Sequence, residues 1–277
     1  MKFQKSFALM LAAIICVTAS FRASKARPQL PRLYKEMTQS ERAAFVAEHA
    51  RAVARQMSGR DYQFTPAFEH ELQRAVDFYV RRIGNNGGDQ PGKGDARFIF
   101  ERGQSVAPIL IREFKARGVS PLIGLYIPLV ESEYVNNSSP NSHGALGMFQ
   151  FLPQTAARYG LNANELLDVE KSADAAARYI ADGMKKFSGD SMKEALAILA
   201  YNRGTNNVER DLTAVVTQEN ASCSICALTA ERDKLDLTFR NENIFYVPRF
   251  FAGAIIGENP DTFGLNAQAL SSLGAKP

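Results

Sequence analysis

Between Gly118 and Ser132 the chain reads GVSPLIGLYIPLVES, and few environments can hold such a stretch. Ser120 suits a helix N-cap and Pro121 a first helical position, with Gly118 closing the helix before them. Leu122, Ile123, Leu125, Tyr126, Ile127, Leu129 and Val130 run nearly all the way round the helix, as in a buried helix rather than a surface one. The rest of the chain must therefore pack around it. The helix ends in a carboxyl: Glu131 falls one turn after Ile127 and one turn before Val135. Burial at that point disfavours the charged form and raises the pKa, which is what a general acid working near neutral pH requires. The same position also suits a solvated helix end or half of an ion pair, so Glu131 alone does not decide a function.

The flanking sequence reads as more helix. Thr38-Gln-Ser-Glu41 has the pattern of a capping box, and Thr65-Pro66 opens a second helix with Phe68, Leu72, Val76 and Tyr79 on one side. The run GNNGGDQPGKGD (84–95) is a loop, either an internal boundary or a long surface connection. Asp95 caps a helix that Pro108 interrupts or kinks. Residues 136–146 are loop, Gly147–Tyr159 is expected to be helical with Pro153 near its start, and 171–187 is an Ala-rich helix. Ser191-Met-Lys-Glu194 looks like another capping box, opening a helix that Gly204 ends. The last expected element is 243–256. No alternating strand pairs joined by hairpin turns occur, so the chain is expected to be all-α.

The N-terminus and the cysteines bear on compartment. Lys2 and Lys5 precede an apolar run, Phe7–Val17, and Val17-Thr18-Ala19 resembles a cleavage site, so residues 1–19 are read as a signal peptide. A retained anchor and lipidation at Cys16 are the alternatives; the run is short for a membrane span, and Ile15 is bulky for a lipidation site. Cleavage leaves Cys223 and Cys226, spaced C-S-I-C. With no second such pair and with His49, His70 and His143 scattered, a small disulfide is the first reading, free thiols the second and a metal site the last. The net charge of +4 would drop to about +2 without Lys2 and Lys5. With no nucleic-acid-binding pattern present, no nucleic-acid partner is expected.

Four patches follow one another in order: Glu131-Ser132, Gly144-Ala-Leu-Gly147-Met148-Phe149-Gln150, Ala200-Tyr201-Asn202-Arg203-Gly204 and Tyr246-Val247-Pro248-Arg249. With these patches the chain resembles the lytic transglycosylases of the soluble-type, lysozyme-like superfamily (glycoside hydrolase family 23). The wording IPLVES and YVPRF is similar to the membrane-bound D-type branch. The resemblance spans about residues 118–256. It implies Glu131 as catalytic acid and base and Ser132 as the residue orienting the substrate's N-acetyl group. It further implies Met148, Gln150, Tyr201 and Asn202 as cleft residues, and Tyr246 as the tyrosine that reaches the acid. The family usually has a short side chain where Arg203 stands, so its role is open. Each patch also has a plainer reading: Gly144, Gly147 and His143 as turn residues, Met148 and Phe149 as core, Asn202 as a helix cap, Tyr246 as packing, and Ser132 as bonded to its own helix.

The implied fold is a lysozyme-like catalytic domain (118–257) with an N-terminal helical extension (38–117), after a linker (20–37) and before a C-terminal tail (258–277). The implied reaction cleaves the β-1,4 bond between N-acetylmuramic acid and N-acetylglucosamine in peptidoglycan, with no cofactor, leaving 1,6-anhydro ends. A hydrolase of the same fold with a second carboxylate, or a non-catalytic peptidoglycan-binding protein, are the alternatives. Glu133 is expected to face away from Glu131, being about 200° further round the helix, and Asp168, Glu170 and Asp174 are expected to cap and charge the 171–187 helix. The protein is expected to be a monomer, periplasmic or secreted. Association with cell-wall or secretion machinery is open. The chain ends soon after the last patch, so substrate anchoring is expected from the cleft or the N-terminal helices.

Overall fold

In the computed structural model, which describes residues 32–274, most helices start where the sequence signals them. Thr38 Oγ1 accepts the Glu41 N–H while the Glu41 carboxylate accepts the Thr38 N–H, and α1 (Gln39–Ser58) begins there. Such a cap contributes about 1 kcal/mol. Thr65 Oγ1 accepts the Phe68 N–H at the start of α2 (Pro66–Val80). Asp95 accepts the N–H groups of Arg97 and Gly84, tying the 84–95 loop to the start of α3 (Arg97–Ala116), which contains Pro108 without a break. The central helix α4 (Pro121–Ser132) is buried along its length, every residue from Leu122 to Leu129 included. At about 1.5–3 kcal/mol for each large apolar side chain removed from water, this helix is the main hydrophobic anchor of the fold.

Two expectations change. The helix expected over 147–159 is only α5 (Pro153–Ala157). Gly147 and Gln150 hold left-handed backbones, and Leu146 pairs with Phe151 and Asn137 with Gly147 in isolated bridges, so the patch is a folded turn. The next helices are α6 (Val169–Lys186) and α7 (Lys193–Arg203). The Ser191–Glu194 capping box does not form. The Asp190 carboxylate accepts the Met192 N–H instead, and Glu194 is drawn inward to accept a hydrogen bond from Tyr62 Oη at 2.9 Å. The remaining helices are α8 (Thr205–Val215), α9 (Ser224–Ala230), α10 (Leu237–Asn241) and α11 (Tyr246–Glu258). The all-α expectation holds: the described residues contain no strands beyond the isolated bridges. No described helix is long and apolar enough to cross a membrane.

Helix α4 lies against α3 and α11, with α1 and α6 also touching it, while α2 and α1 cover α11. Close approach of α11 to α4 depends on Gly253, where a Cβ would sit 3.0 Å from both terminal methyls of Leu129. Tyr34 is fully buried and packs its ring on Phe45 and Phe263, and Leu270 near the C-terminus is fully buried too. The described residues thus form one compact unit. Cys223 and Cys226 are joined in a disulfide at the start of α9, and Cys226 Sγ accepts the Thr65 N–H, linking that turn to α2. The expected signal peptide (1–19), the lipidation alternative at Cys16 and most of the 20–37 linker lie outside the described residues.

Candidate active site

Glu131 is the penultimate residue of α4, where the buried helix reaches a cleft. Its side chain is half-buried: protein surrounds it on most sides and a cavity of about 420 Å³ opens on the rest. Burial raises the Glu131 pKa from an ordinary 4.5 to about 7, opposed only in part by a hydrogen bond donated by Tyr246 Oη to Oε1 at 2.6 Å. Tyr246 is itself buried, which together with the nearby Glu131 charge pushes its pKa well above the usual value, so the phenol keeps its proton and donates it. The result is a carboxyl that can both hold and release a proton near neutral pH.

The chain leaves α4 abruptly. Glu133 and Tyr134 both adopt left-handed backbones, and Tyr134 Oη donates to the Leu125 carbonyl at 2.6 Å, folding the exit back on the helix. Helix α4 therefore ends before Glu133, and the expectation of a side chain turned away by helical geometry needs correcting. Glu133 lines the same cavity as Glu131. Its carboxylate is nonetheless occupied: both oxygens accept from the Arg82 guanidinium, at 2.5 and 3.0 Å, and Oε2 also accepts the Gly92 N–H at 2.9 Å. Asp168 caps α6, Glu170 pairs with Arg112, and Asp174 pairs with Arg117 and Arg178.

Ser132 also lines this cavity. Its hydroxyl donates to the Met148 carbonyl at 2.7 Å, with the Pro128 carbonyl of its own helix at 3.2 Å. The proton is engaged within the protein, and the oxygen's remaining lone pair can accept an amide N–H from the cavity. Met148 is buried, so its thioether belongs to the core and its backbone carbonyl serves the site. The turn around it rests on Gly147, whose φ of 74° and tight packing under the Leu166 carbonyl exclude a side chain. Gln150 carries a φ of 49°, a conformation costing a non-glycine residue roughly 1–2 kcal/mol. It is held there by its own Nε2, which donates to the Gly147 carbonyl, and by Asn141 Nδ2, which donates to its Oε1.

Gln150, Tyr201 and Asn202 line a second cavity of about 510 Å³. Tyr201 Oη donates to the Phe149 carbonyl at 2.9 Å, and Glu131 is close enough for its charge to help raise the Tyr201 pKa, after burial. The acid lines the first cavity, and Tyr201 lines the second within reach of its charge. Asn202 accepts at Oδ1 from Asn243 Nδ2 at 2.6 Å, which leaves its own amide N–H groups for the cavity. Arg203, whose role the sequence leaves open, is buried. It donates to Asp211 at 2.9 Å, to Asp236 at 2.5 Å and to Asn243 at 3.3 Å. This network fixes the end of α7 and, through Asn243, the Asn202 side chain. His143 is an exposed turn residue whose N–H donates to Asn141.

Sequence reasoning misses the far wall of the Glu131 cavity. Phe78 and Tyr79 come from α2, Arg82 from the turn that follows it, and Pro91 and Gly92 from the 84–95 loop. Their helical spacing marks α2 as amphipathic, but nothing in that pattern says which end faces a cleft. A family model described as the transglycosylase SLT domain matches residues 109–223. The match begins within α3 and ends at Cys223, so Tyr246 and α11 lie beyond it and join the site through the fold.

Proposed function

From a chain whose residues 109–223 are an SLT transglycosylase domain of the lysozyme-like superfamily, we propose one reaction. The protein cleaves the β-1,4 bond between N-acetylmuramic acid and N-acetylglucosamine in peptidoglycan strands and leaves 1,6-anhydro-N-acetylmuramic acid ends. It does so outside the cytoplasm, after removal of residues 1–19. Residues 118–257 form its catalytic domain, and the 38–117 extension walls the cleft.

One observation carries the reading: Glu131 is a carboxyl poised near pH 7, and it is the carboxyl of the cleft left free to move a proton. Among the described residues lining the two cavities, Glu133 is the other carboxylate, and Arg82 and the Gly92 amide occupy it. That disfavours a hydrolase with a paired base. In the proposed sequence, protonated Glu131 gives its proton to the leaving oxygen as the glycosidic bond breaks. The N-acetyl carbonyl oxygen of the same sugar bonds to the anomeric carbon, the substrate-assisted route. Glu131, now a carboxylate, takes the proton of that sugar's 6-hydroxyl. The 6-oxygen then attacks the anomeric carbon and displaces the N-acetyl oxygen, closing the anhydro ring without water.

Each neighbour has a part in this. Tyr246 fixes one oxygen of Glu131 and stabilises the carboxylate between the two steps. Ser132 accepts the N-acetyl N–H and holds its carbonyl in line. Gln150, Tyr201 and Asn202 receive the strand beyond, and the Met148 carbonyl orients Ser132. Digestion of purified peptidoglycan, with Glu131→Gln as control, tests the reading. Products with ends that borohydride cannot reduce, lost in the variant, are expected; wild-type release by Glu131→Gln would remove Glu131 from its role.

A further inference from the structure

The wall of the Glu131 cavity contains a cation that the proposed reaction does not use. Arg249 lies three residues after Tyr246 on α11, so the two side chains are neighbours on one helix face. Its guanidinium sits 5.8 Å from the ring centre of Phe78 and 5.9 Å from that of Phe245. Phe78 is 38% exposed, unusual for a large apolar side chain here, and Arg82 lies 5.8 Å from its ring as well. The two arginines differ in one respect. Arg82 is committed to Glu133, whereas Arg249 makes no ion pair or side-chain hydrogen bond among the described residues.

Phe78 and Arg249 also form the boundary with a side cavity of about 230 Å³, into which Arg81 and Arg74 project. The two carboxylates there are occupied: Glu71 pairs with Arg74, and Asp77 accepts from Tyr34 Oη at 3.0 Å. Three arginines against two carboxylates leave the side cavity with an excess of positive charge, and Arg249 carries it to the wall of the Glu131 cavity. A guanidinium braced on aromatic faces has its orientation set in advance and still presents its N–H fork to a carboxylate.

We propose that Arg249, held by Phe78 and Phe245, binds a carboxylate carried by the muramyl sugar at the scissile bond, making the enzyme selective for anionic strands. This rests on the function proposed above and adds its specificity determinant. The carboxylate has two sources. In strands bearing stem peptides it belongs to the peptide; in strands stripped of peptide it is the free lactyl group of the sugar. Arg158 lines the second cavity, whose wall does not include the acid.

The test measures kcat/KM on three strands: intact, stripped of peptide by an amidase, and stripped with the lactyl carboxylate converted to a neutral methylamide. Wild type is expected to prefer at least one charged strand to the neutral one. In Arg249→Ala that preference should fall about 10- to 100-fold, the value of a hydrogen bond to a charged group, and Arg249→Lys should restore part of it. Loss of preference for intact strands alone assigns the stem peptide as the source, and loss for stripped strands alone assigns the lactyl group. An unchanged preference, or an equal loss of rate on all three strands, would overturn the proposal. Absence of anhydro products from wild type on every strand would instead count against the proposed reaction itself.

Discussion

Replacing Glu131 by Gln should make the protein more stable, and by an amount that depends on pH. Burial raises the Glu131 pKa from 4.5 to about 7, and each pH unit in that interval corresponds to about 1.36 kcal/mol. Below pH 4.5 the carboxyl is protonated in both folded and unfolded chains and carries no penalty. Between 4.5 and about 7 the folded chain keeps a proton that the unfolded chain has lost, so stability falls as pH rises. Above 7 the ionised group costs the fold about 3 kcal/mol. Gln cannot ionise, yet it retains an oxygen for the Tyr246 hydroxyl, which now donates to Glu131 at 2.6 Å. For a chain of this size each kcal/mol moves Tm by about 2–4 °C. Thermal unfolding followed by circular dichroism at pH 4 to 8 should show Glu131→Gln and wild type melting together at pH 4. The variant should melt about 6–12 °C higher at pH 8. Other titrating groups are common to both proteins and cancel in the difference. A difference that stays flat with pH, or a variant less stable at pH 8, would refute the account of a desolvated acid.

Two further substitutions probe the surroundings. Tyr246→Phe removes a hydrogen bond that favours the charged carboxyl, so the Glu131 pKa should rise further. The alkaline limb of the pH–rate profile should move upward, by roughly half to one pH unit; a downward shift would contradict the hydrogen bond's direction. Arg203→Ala strips Asp211, whose side chain is 2% exposed, of its buried partner and releases Asn243. Asp211 keeps the exposed Arg210 at 3.1 Å, so urea unfolding should show a loss of about 1–3 kcal/mol, whereas an unchanged stability would mean that the network is not holding the end of α7.

Much of this was legible before the fold because it is local. A helix apolar on every side has to be central, so α4 follows from short-range pattern, whereas a carboxyl at its end could equally be solvated, and it is the fold that buries Glu131. Caps at Thr38 and Thr65 are equally local. The Gly147–Gln150 turn reads as helix in the sequence because its second left-handed residue is Gln150, and sequence patterns assign that conformation to glycine or asparagine. The place of Glu133 is not legible in the sequence because the helix stops at Ser132 and Arg82, Arg102 and Gly92, all distant in the chain, hold Glu133 beyond its end. Arg203 and Arg249 carry the same charge in the sequence; only the fold supplies one with two aspartates and leaves the other free at the cleft. The contribution of Phe78, fifty-three residues before Glu131, depends on α2 packing across α11, which no local pattern encodes.

The central claim is that a single carboxyl closes the anhydro ring without water. Cleavage of peptidoglycan strands in ¹⁸O-labelled water, followed by mass analysis of the new sugar ends, addresses it directly. The account predicts ends that carry no label and weigh one water less than the hydrolysed sugar. One ¹⁸O atom at each new anomeric carbon would show that water, not the 6-hydroxyl, is the nucleophile, and would contradict the account.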